Sequence, residues 1–425
     1  MSLVIKNGHL IEPTLGISEP MDVLMKHGKI VGIGKGLEGS AEIDATGLVV
    51  CPGLVDPHVH FREPGFESKE DIGSGSRAAA RGGFTTVVTM ANTMPRIDNA
   101  GMVEFVNRRA RETAIVKIRP AACATKEMKG EELTEMAELK EVGVVAVTDD
   151  GKDIRSSAVM RRVLEYANMV GLVYMAHCED EDLAEGGAMN EGFTSTVLGI
   201  PGIPKAAEEV RIDRNIRLAE ICGAHIHIQH VTSAGGIEIV RQAKKRGARV
   251  TCETAPHYWT LTDEAVKTFN ANAKMNPPLR EPQDVEGIIA GIKDGTVDCI
   301  ATDHAPHTPT EKAVEFALAP FGILGLETSL ALTLTGLVGP GHITLERAIA
   351  LLTAEPARIC GLDAGKLYEG GPADITIFDP KATWTVNENE FASKSRNSPF
   401  MGMTVTGRVK YTLVDGQVVY QDGNP

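Results

Sequence analysis

Residues 48–60 read LVVCPGLVDPHVH, an apolar run that ends in two histidines one position apart. Similar runs recur along the chain, separated by amphipathic stretches with helical spacing: FTTVVTMAN (84–92), VKIRPAACAT (116–125), VGVVAVTDDG (142–151), GLVYMAHCE (171–179), HIHIQHVTS (225–233), ARVTCETAPH (248–257) and VDCIATDHAPH (297–307). Eight alternations of strand and helix predict a (β/α)8 barrel of the α/β class. A doubly wound open sheet is the alternative, and it is less favoured because no Gly-rich phosphate turn follows the first strand.

Both ends of the chain have a different pattern from the middle. Residues 1–50 contain short β-rich runs broken by Asn7-Gly8 and His27-Gly28, and the C-terminal GRVKYTLVDGQVVYQDG is split by Asp415-Gly416. Such dipeptides between alternating runs are hairpin signals. We therefore predict a small β-sandwich domain built from residues 1–50 and 362–425, with the barrel at residues 51–361.

The overall composition excludes some classes of protein. A net charge of −14 argues against a nucleic-acid binder, although a local cationic pocket can still bind an anionic substrate. No apolar stretch approaches the length of a membrane span, and the N-terminal residues lack the apolar core of a signal peptide. The 7 cysteines are scattered singly, which is typical of buried thiols in a reducing compartment. We expect a cytoplasmic protein with no membrane or nucleic-acid partner.

Polar residues with metal-binding or catalytic potential cluster where the predicted strands end. They are His58, His60, Asn92, Asp149, Asp150, His177, His230, Glu253, His257, Asp303, His304 and His307. In a parallel barrel, the C-terminal ends of all strands surround one mouth, where active sites lie. Residues far apart in the sequence are therefore expected to converge there.

The pair His58 and His60 is the strongest indication of a metal. Residues i and i+2 of a strand point to the same side, and burying two unpaired imidazoles together is costly. Coordination of a divalent ion such as zinc by these imidazoles and by carboxylates is the simplest compensation. His177, His230 and an aspartate at strands four and eight strengthen this prediction. The isolated His9, His27 and His342 are interpreted as structural.

Two of the candidates require a choice between neighbouring residues. In HIHIQH, His230 is closest to the strand end and is taken as a ligand, whereas His227 is assigned to packing or to support of the ligands. In VTDDG, Asp150 adjoins the Gly151 turn and is taken as a ligand, whereas Asp149 is expected to cap the segment that follows.

These residues resemble the amidohydrolase superfamily and, within it, the dihydroorotases of the bacterial class I type. The motifs that carry the resemblance are DPHVHFREPG, GGFTTVV, VTDDG, HCED, HIQHVTS, NPPLR, ATDHAPH, PFGILGLE and GPADITIFDP, spread over nearly the whole chain. The HxH pair with a barrel-ending aspartate is typical of the superfamily. Arginine two positions after the pair, together with ATDHAPH, is specific to the dihydroorotase type, which converts N-carbamoyl-L-aspartate and dihydroorotate reversibly in the third step of pyrimidine synthesis.

The resemblance implies a metal-binding and catalytic role for each candidate. His58, His60 and Asp303 would bind one metal, His177 and His230 a second, and Asp150 would bridge them. One or two zinc ions per subunit are implied, with two expected, and the chain is expected to form a homodimer. A metal-bound hydroxide would open the ring, with Asp303 as general base and then acid. In hydantoinases a carbamylated lysine takes the bridging position, so Lys152 is expected to be an ordinary surface residue.

The resemblance also implies which residues bind the substrate: His60, Phe61, Arg62, Asn92, Asn276, His307, Phe321 and Gly322. Arg62 would hold the carboxylate of dihydroorotate, because a guanidinium matches a carboxylate with two hydrogen bonds. Asn92 and His307 would join it, while Asn276 and the backbone at Phe321 and Gly322 would hold the ring amide. A salt bridge between Arg62 and Glu63 is the alternative role for this arginine.

Related ring-opening enzymes and an inactive scaffold protein are the alternative functions. Hydantoinases, dihydropyrimidinases and allantoinases share the barrel and the metals, but allantoinases typically carry asparagine at the position of Arg62. A catalytically inactive scaffold protein is the alternative outside enzymes, and such relatives lose ligands that are all present here. The segment 308–327, TPTEKAVEFALAPFGILGLE, could close over the site or be a fixed cover.

Overall fold

The structure, a computed structural model, describes residues 2–423. The strands are β1 Ser2–Lys6, β2 His9–Glu12, β3 Ile17–Pro20, β4 Asp22–Lys26, β5 Lys29–Gly34, β6 Ala41–Asp44, β7 Val49–Pro52, β8 Leu54–Val59, β9 Phe84–Thr89, β10 Lys117–Cys123, β11 Ala146–Thr148, β12 Val173–Ala176, β13 Met189–Asn190, β14 Gly202–Ile203, β15 Ile226–Ile228, β16 Val250–Thr254, β17 Cys299–Ile300, β18 Ile375–Thr385, β19 Thr404–Val414 and β20 Gln417–Gln421.

The α-helices are α1 Ile72–Arg81, α2 Ala100–Thr113, α3 Met136–Glu141, α4 Ser157–Val170, α5 Glu181–Ala184, α6 Phe193–Leu198, α7 Lys205–Cys222, α8 Ala234–Lys245, α9 His257–Thr260, α10 Pro282–Lys293, α11 Pro309–Lys312, α12 Ser329–Thr333, α13 Leu345–Leu352 and α14 Ala354–Ile359. Residues Leu334–Val338 form a π-helical turn. Short 3-10 turns lie at Lys126–Met128, Asp263–Val266, Ala271–Ala273 and Glu388–Glu390.

Eight parallel strands form the barrel, in the order β8, β9, β10, β11, β12, β15, β16, β17. The last and first strands meet through a parallel bridge between Val59 and His304 and a 2.9 Å hydrogen bond from His60 N to His304 O. Amphipathic helices cover the outside, and their apolar faces are buried, as at Val103 of α2 and Val163 of α4. The predicted (β/α)8 barrel is confirmed.

The two ends of the chain form two further sheets. One has the order β5-β4-β1-β6 and the other β20-β19-β18-β7-β2-β3. Apolar side chains of both sheets share one core, including Ile5 and Val23 from the first sheet and Leu10, Val50 and Ile377 from the second. The predicted β-sandwich from both termini is therefore confirmed, whereas the boundaries at residues 50 and 362 stay a prediction.

The stretch 48–60 belongs to both parts of the molecule. Val49–Pro52 pairs with β18 and β2 in the sandwich, and Leu54–Val59 is the first strand of the barrel. The change of sheet occurs at Gly53, where an added Cβ would lie 2.1 Å from Thr85 Oγ1. Only glycine allows the backbone to approach its neighbour so closely here.

Two further observations bear on the cellular setting. Among residues 2–423, no helix has both the length and the apolarity that crossing a membrane requires. The seven cysteines are all free thiols, and only Cys222 is not fully buried.

Candidate active site

The six predicted metal ligands come together at the C-terminal mouth of the barrel. They are His58 in β8, His60 just after it, Asp150 after β11, His177 after β12, His230 after β15 and Asp303 after β17. Each of these side chains is at most 5 % exposed to solvent. Overlapping groups of them could hold a metal ion, since their ligand atoms lie within 4.8 Å of one another.

The two carboxylates lie between the imidazoles. Asp303 Oδ1 is 3.0 Å from His60 Nε2 and 3.5 Å from His58 Nε2. Asp150 is 3.5 Å from His58 Nε2 through Oδ1 and 3.4 Å from His60 Nε2 through Oδ2. Asp150 Oδ1 is also 3.7 Å from His177 Nδ1 and 3.8 Å from His230 Nε2. Asp150 therefore occupies the position between the two histidine pairs.

Unpartnered buried atoms show that this cluster fits a metal. His58 Nε2 lies 3.5 Å from both carboxylates and is buried without any hydrogen-bond partner among the described residues. His177 Nδ1 and His230 Nε2, the nitrogens nearest Asp150, lie 2.9 Å from each other. Burial raises the pKa of Asp150 and of Asp303, but the nearby His58 and further histidines outweigh it and hold both carboxyls below their usual range. Ionised carboxylates and neutral imidazoles are the donors that divalent ions such as zinc prefer.

Three residues of the site have left-handed backbone conformations. The φ angles are +62° at Arg62, +33° at His230 and +47° at Asp303. Such conformations are unfavourable for residues other than glycine and are concentrated at functional sites. They turn the chain at the strand ends, so that His230 reaches the mouth although it lies beyond the regular part of β15.

A layer of polar side chains supports the ligands from inside the barrel. His58 Nδ1 lies 2.7 Å from Glu253 Oε1, and Glu253 Oε2 lies 3.0 Å from His227 Nε2. His227 Nδ1 in turn lies 2.9 Å from Thr251 Oγ1. His227 thus lies below the ligands, away from the mouth. From the sequence, Glu253 was placed at a strand end but was assigned no role. Its spacing of two residues from Thr251 does place both side chains on the same face of the strand.

Asp149 and Lys152 both lie outside the ligand cluster. Asp149 accepts hydrogen bonds from Ala124 N at 2.9 Å and Thr125 N at 3.1 Å. The aspartate therefore caps the loop after the preceding strand, β10, and the expectation that it caps the following segment is wrong. Lys152 is exposed on the surface.

Arg62 lies beside the metal ligands with its guanidinium free of carboxylates. Its Nε donates to Pro306 O at 3.2 Å, and among residues 2–423 no carboxylate oxygen comes within 4.0 Å of it. Burial lowers its pKa to about 10, which leaves it protonated at neutral pH. The alternative salt bridge to Glu63 is not formed, because Glu63 Oε1 accepts from Arg109 Nε at 2.6 Å.

His307 is held next to Arg62 as a neutral imidazole. Its Nε2 donates to Phe321 O at 2.8 Å, and its Nδ1 accepts from Lys69 Nζ at 3.4 Å. Burial, followed by the charges of Arg62 and Lys69, lowers the pKa of His307 to about 2. Arg62 Nη2 lies 3.4 Å from His307 Nε2, so both groups face the same end of the cavity.

The remaining predicted substrate residues differ in what they contact. Asn92 Oδ1 lies 2.9 Å from His60 Nδ1, so this amide also orients a ligand. Asn276 Oδ1 is buried without a partner. Gly322 N already donates to Lys274 O at 2.9 Å. The ring of Phe61 packs in the core, where an added Cβ at Gly75 would lie 2.5 Å from it, so Phe61 could reach a ligand only through its backbone.

These side chains enclose a cavity of about 380 Å³ at the mouth. Its lining comprises His60, Arg62, Asn92, Asp150, Gly151, His177, His230, Met275, Asn276, Asp303, Ala305, His307, Pro320, Phe321 and Gly322. A cavity of this size suits one small molecule. The ligand cluster and the guanidinium of Arg62 both line this cavity.

Comparisons with known proteins show which families and folds this chain resembles. Residues 47–235 match a family described as Dihydro-orotase-like, and residues 285–420 match the Amidohydrolase family. A dihydroorotase from Citrifermentans bemidjiense is 53% identical, covering 99% of this chain and 100% of its own. A dihydroorotase from Geobacter sp. (strain M21) is 52% identical over 100% of both chains. Among solved structures, an L-hydantoinase (dihydropyrimidinase) from Arthrobacter aurescens has a TM-score of 0.90 at 27% identity, covering 99% of this chain and 96% of its own.

Proposed function

Since this chain belongs to the dihydroorotase family, we propose that its barrel mouth interconverts N-carbamoyl-L-aspartate and dihydroorotate, the third step of pyrimidine synthesis. The chain is accordingly a cyclic amide hydrolase. The observation that carries the substrate assignment is the unpaired guanidinium of Arg62, which lies in the cavity that also contains the ligand cluster. Dihydroorotate has both a ring amide to be hydrolysed and a carboxylate to be bound.

The proposed metal arrangement assigns three ligands to one ion. His58, His60 and Asp303 would hold one zinc, His177 and His230 would hold a second, and Asp150 would be shared by both. The support is the position of Asp150 between the two histidine pairs, together with the unpartnered His58 Nε2 that lies 3.5 Å from it. When bound, such ions polarise a carbonyl oxygen and lower the pKa of water to near neutrality.

Asp303 is proposed to move the proton. The neighbouring histidines keep its carboxylate ionised despite burial, so it is ready to accept a proton from the attacking water. Asp303 also lines the cavity, where it can pass the proton to the ring nitrogen as the carbon–nitrogen bond breaks. The reverse reaction uses the same carboxylate in the opposite order.

The chain's other polar groups are proposed to orient the substrate. Arg62 binds its carboxylate, and Asn92 and His307 line the same cavity. The unpartnered Asn276 Oδ1 accepts a ring N–H, since a buried carbonyl oxygen without a partner is unfavourable. Gly322 N already donates to Lys274 O. The segment at Phe321 and Gly322 therefore contributes the shape of the cavity wall and its other backbone groups to binding of the ring amide.

Ring hydrolysis of uncharged substrates is the second candidate function. It is favoured by the structural likeness to the L-hydantoinase (dihydropyrimidinase) from Arthrobacter aurescens. The test is to incubate the zinc-loaded protein with L-dihydroorotate, dihydrouracil and allantoin and to follow ring opening of each. Turnover of dihydroorotate alone supports the proposal, whereas turnover only of the uncharged rings would transfer the assignment to the second candidate.

We also propose that the chain forms a cytoplasmic homodimer with its domains divided at residues 50 and 362. Free, mostly buried thiols fit a reducing compartment. Phe193 and Val197 of α6 are 77% and 66% exposed, and an apolar surface of this kind favours contact with a second copy. β7, which spans residue 50, lies between β18 and β2 in the six-stranded sheet, and the other terminal strands pair among themselves.

A further inference from the structure

Residues 392–398, here called the strap, cross from the small β domain to the rim of the active site. Ala392 N and Ser393 N both donate to the carboxylate of Glu327, Ala392 N at 2.9 Å and Ser393 N at 3.1 Å. Ser395 Oγ donates to Lys69 O at 2.7 Å. None of these strap residues lines the catalytic cavity. The strap is therefore fastened beside the site without entering it.

Asn397 is the strap residue that contacts the two segments next to Arg62 and the His307 ring, residues 305–307 and Gly322. Its Oδ1 accepts from His307 N at 3.0 Å, and its Nδ2 donates to Ala305 O at 2.9 Å and to Gly322 O at 3.0 Å. The residue is 2% exposed. One donor and two acceptors converge on it, and of the side chains of this size only a carboxamide satisfies all three. An aspartate would place a carboxylate oxygen against two carbonyl oxygens.

The groups that Asn397 holds are directly connected to the proposed carboxylate site. Its two bonds to Ala305 and His307 fix the peptide on either side of Pro306, whose carbonyl accepts the hydrogen bond from Arg62 Nε at 3.2 Å. Its bond to Gly322 fixes the residue after Phe321, whose carbonyl accepts from the His307 ring at 2.8 Å. The Arg62 guanidinium and the His307 ring therefore both depend on backbone carbonyls in segments that Asn397 holds.

The two segments also lie in close contact at this point. Gly322 has a φ of +140°, and an added Cβ would lie 2.7 Å from Ala305 O. Ala305 N donates to Ile323 O at 2.9 Å, and Leu324 N donates to Asn397 O at 3.0 Å. Loss of the Asn397 side chain would leave two buried carbonyls and one buried N–H unsatisfied, so the segments would shift to find other partners.

We propose that Asn397 is a positioning residue that sets the affinity of the site for the substrate carboxylate. It holds the segment whose Pro306 carbonyl orients Arg62, and the segment whose Phe321 carbonyl orients the His307 ring. This inference rests on the proposed function, because it takes Arg62 as the group that binds the substrate carboxylate and His307 as its neighbour in the cavity wall. Asn397 touches neither the substrate cavity nor the metal ligands. Its removal therefore weakens substrate binding while the metal cluster and Asp303 remain in place.

The test compares Asn397→Leu with Ser398→Ala in the zinc-loaded, full-length protein. Ser398 is a matched control, since it is also 2% exposed, and its hydroxyl accepts only from Phe400 N at 3.3 Å. For Asn397→Leu we expect KM for dihydroorotate to rise about tenfold or more, with kcat within about threefold. Zinc content stays at the wild-type value, and Ser398→Ala keeps the wild-type KM. Asn397→Asp is expected to raise KM at least as much.

A purely structural role gives a different result. A variant that is partly unfolded has a lower apparent kcat with an unchanged KM, because the remaining folded molecules bind normally. That result, or a wild-type KM in Asn397→Leu, would overturn the inference while the wild type remained active. If Asn397→Leu does not fold, Asn397→Ser provides a smaller perturbation with the same expected direction in KM. A wild type inactive on dihydroorotate would instead overturn the proposed function and this inference with it.

Discussion

His58 Nδ1 lies 2.7 Å from Glu253 Oε1, although 195 residues separate the two in the sequence. Burial raises the pKa of Glu253, but His58 and His227 outweigh it and lower the value to about 2, so the carboxylate is ionised. An ionised carboxylate at Nδ1 fixes the proton there and leaves Nε2 free for a metal. The contact therefore determines which nitrogen of His58 faces the site.

We expect Glu253→Gln to lower metal affinity by about 10- to 100-fold, because such supporting carboxylates orient the ligand and raise its basicity. The measurement is zinc retention against a chelator of known affinity. Glu12→Gln is a suitable control, since Glu12 is also fully buried and accepts from Thr14 N at 2.7 Å in the small β domain. Equal zinc affinity in the two variants would contradict the role of Glu253.

Asp303→Asn is expected to lower kcat by about 10²- to 10⁴-fold, the usual contribution of a general acid–base group. The amide keeps the size of the side chain but cannot accept the proton from water. The measurement is the steady-state rate on dihydroorotate, with circular dichroism and zinc content recorded on the same sample. A folded variant with nearly wild-type turnover would remove Asp303 from the mechanism.

Removal of the metal is expected to destabilise the fold as well as to abolish activity. Asp150 and Asp303 are ionised, buried carboxylates, and without a metal ion their charges are compensated by the histidines and by the Arg62 guanidinium. Since a ligand that binds only the folded state raises Tm with its free concentration, zinc added after chelation should raise Tm progressively. A Tm that does not depend on zinc would contradict the proposed site.

The burial of His307 predicts a pH dependence of stability. Its pKa is about 2 in the fold, below the ordinary 6.5, so between these values the unfolded chain binds a proton that the folded chain does not. The contribution of the neutral ring is thus fully present above pH 6.5 and is lost as pH falls from there toward 2. The variant His307→Asn has no titrating ring at this position, so it lacks this pH-dependent contribution to stability.

The free energy of unfolding is therefore expected to differ most between wild type and His307→Asn above pH 7. Between pH 7 and pH 5 the difference should narrow by about 1–2 kcal/mol, since each pH unit changes it by up to about 1.4 kcal/mol. Urea unfolding of the two zinc-loaded proteins at several pH values measures it. A difference that stays constant over this range would show that the pKa of His307 is the same in the folded and the unfolded chain, and would contradict the prediction.

The sequence was sufficient to predict the barrel and the convergence of the ligands. Periodicity identified the strands, and in a closed parallel barrel all strand ends share one mouth, so the closeness of His58 and Asp303 followed without any contact information. The inward direction of His58 and His60 followed from their period-2 spacing. The same rule points Phe61 away from the barrel interior, and its ring indeed packs in the core.

Other parts of the site could not be predicted from periodicity. The spacing of Thr251 and Glu253 indicates which face they share, but not that the partner of Glu253 would be His58. Asn397 lies in a segment without regular structure, 90 residues from His307 in the sequence. Which loop covers the barrel rim depends on how the small domain packs on it, and no local pattern encodes that.

The most direct test of the central claim is the kcat/KM ratio for dihydroorotate over dihydrouracil in wild type and Arg62→Ala. Arg161→Ala, on the exposed face of α4, is the control. Because a bidentate, charge-assisted pair is lost, we predict that Arg62→Ala lowers kcat/KM for dihydroorotate by about 10²-fold or more. Zinc content and any activity on dihydrouracil should remain unchanged. An unchanged ratio, or loss of zinc from Arg62→Ala, would contradict the assignment of Arg62 as the group that binds the substrate carboxylate.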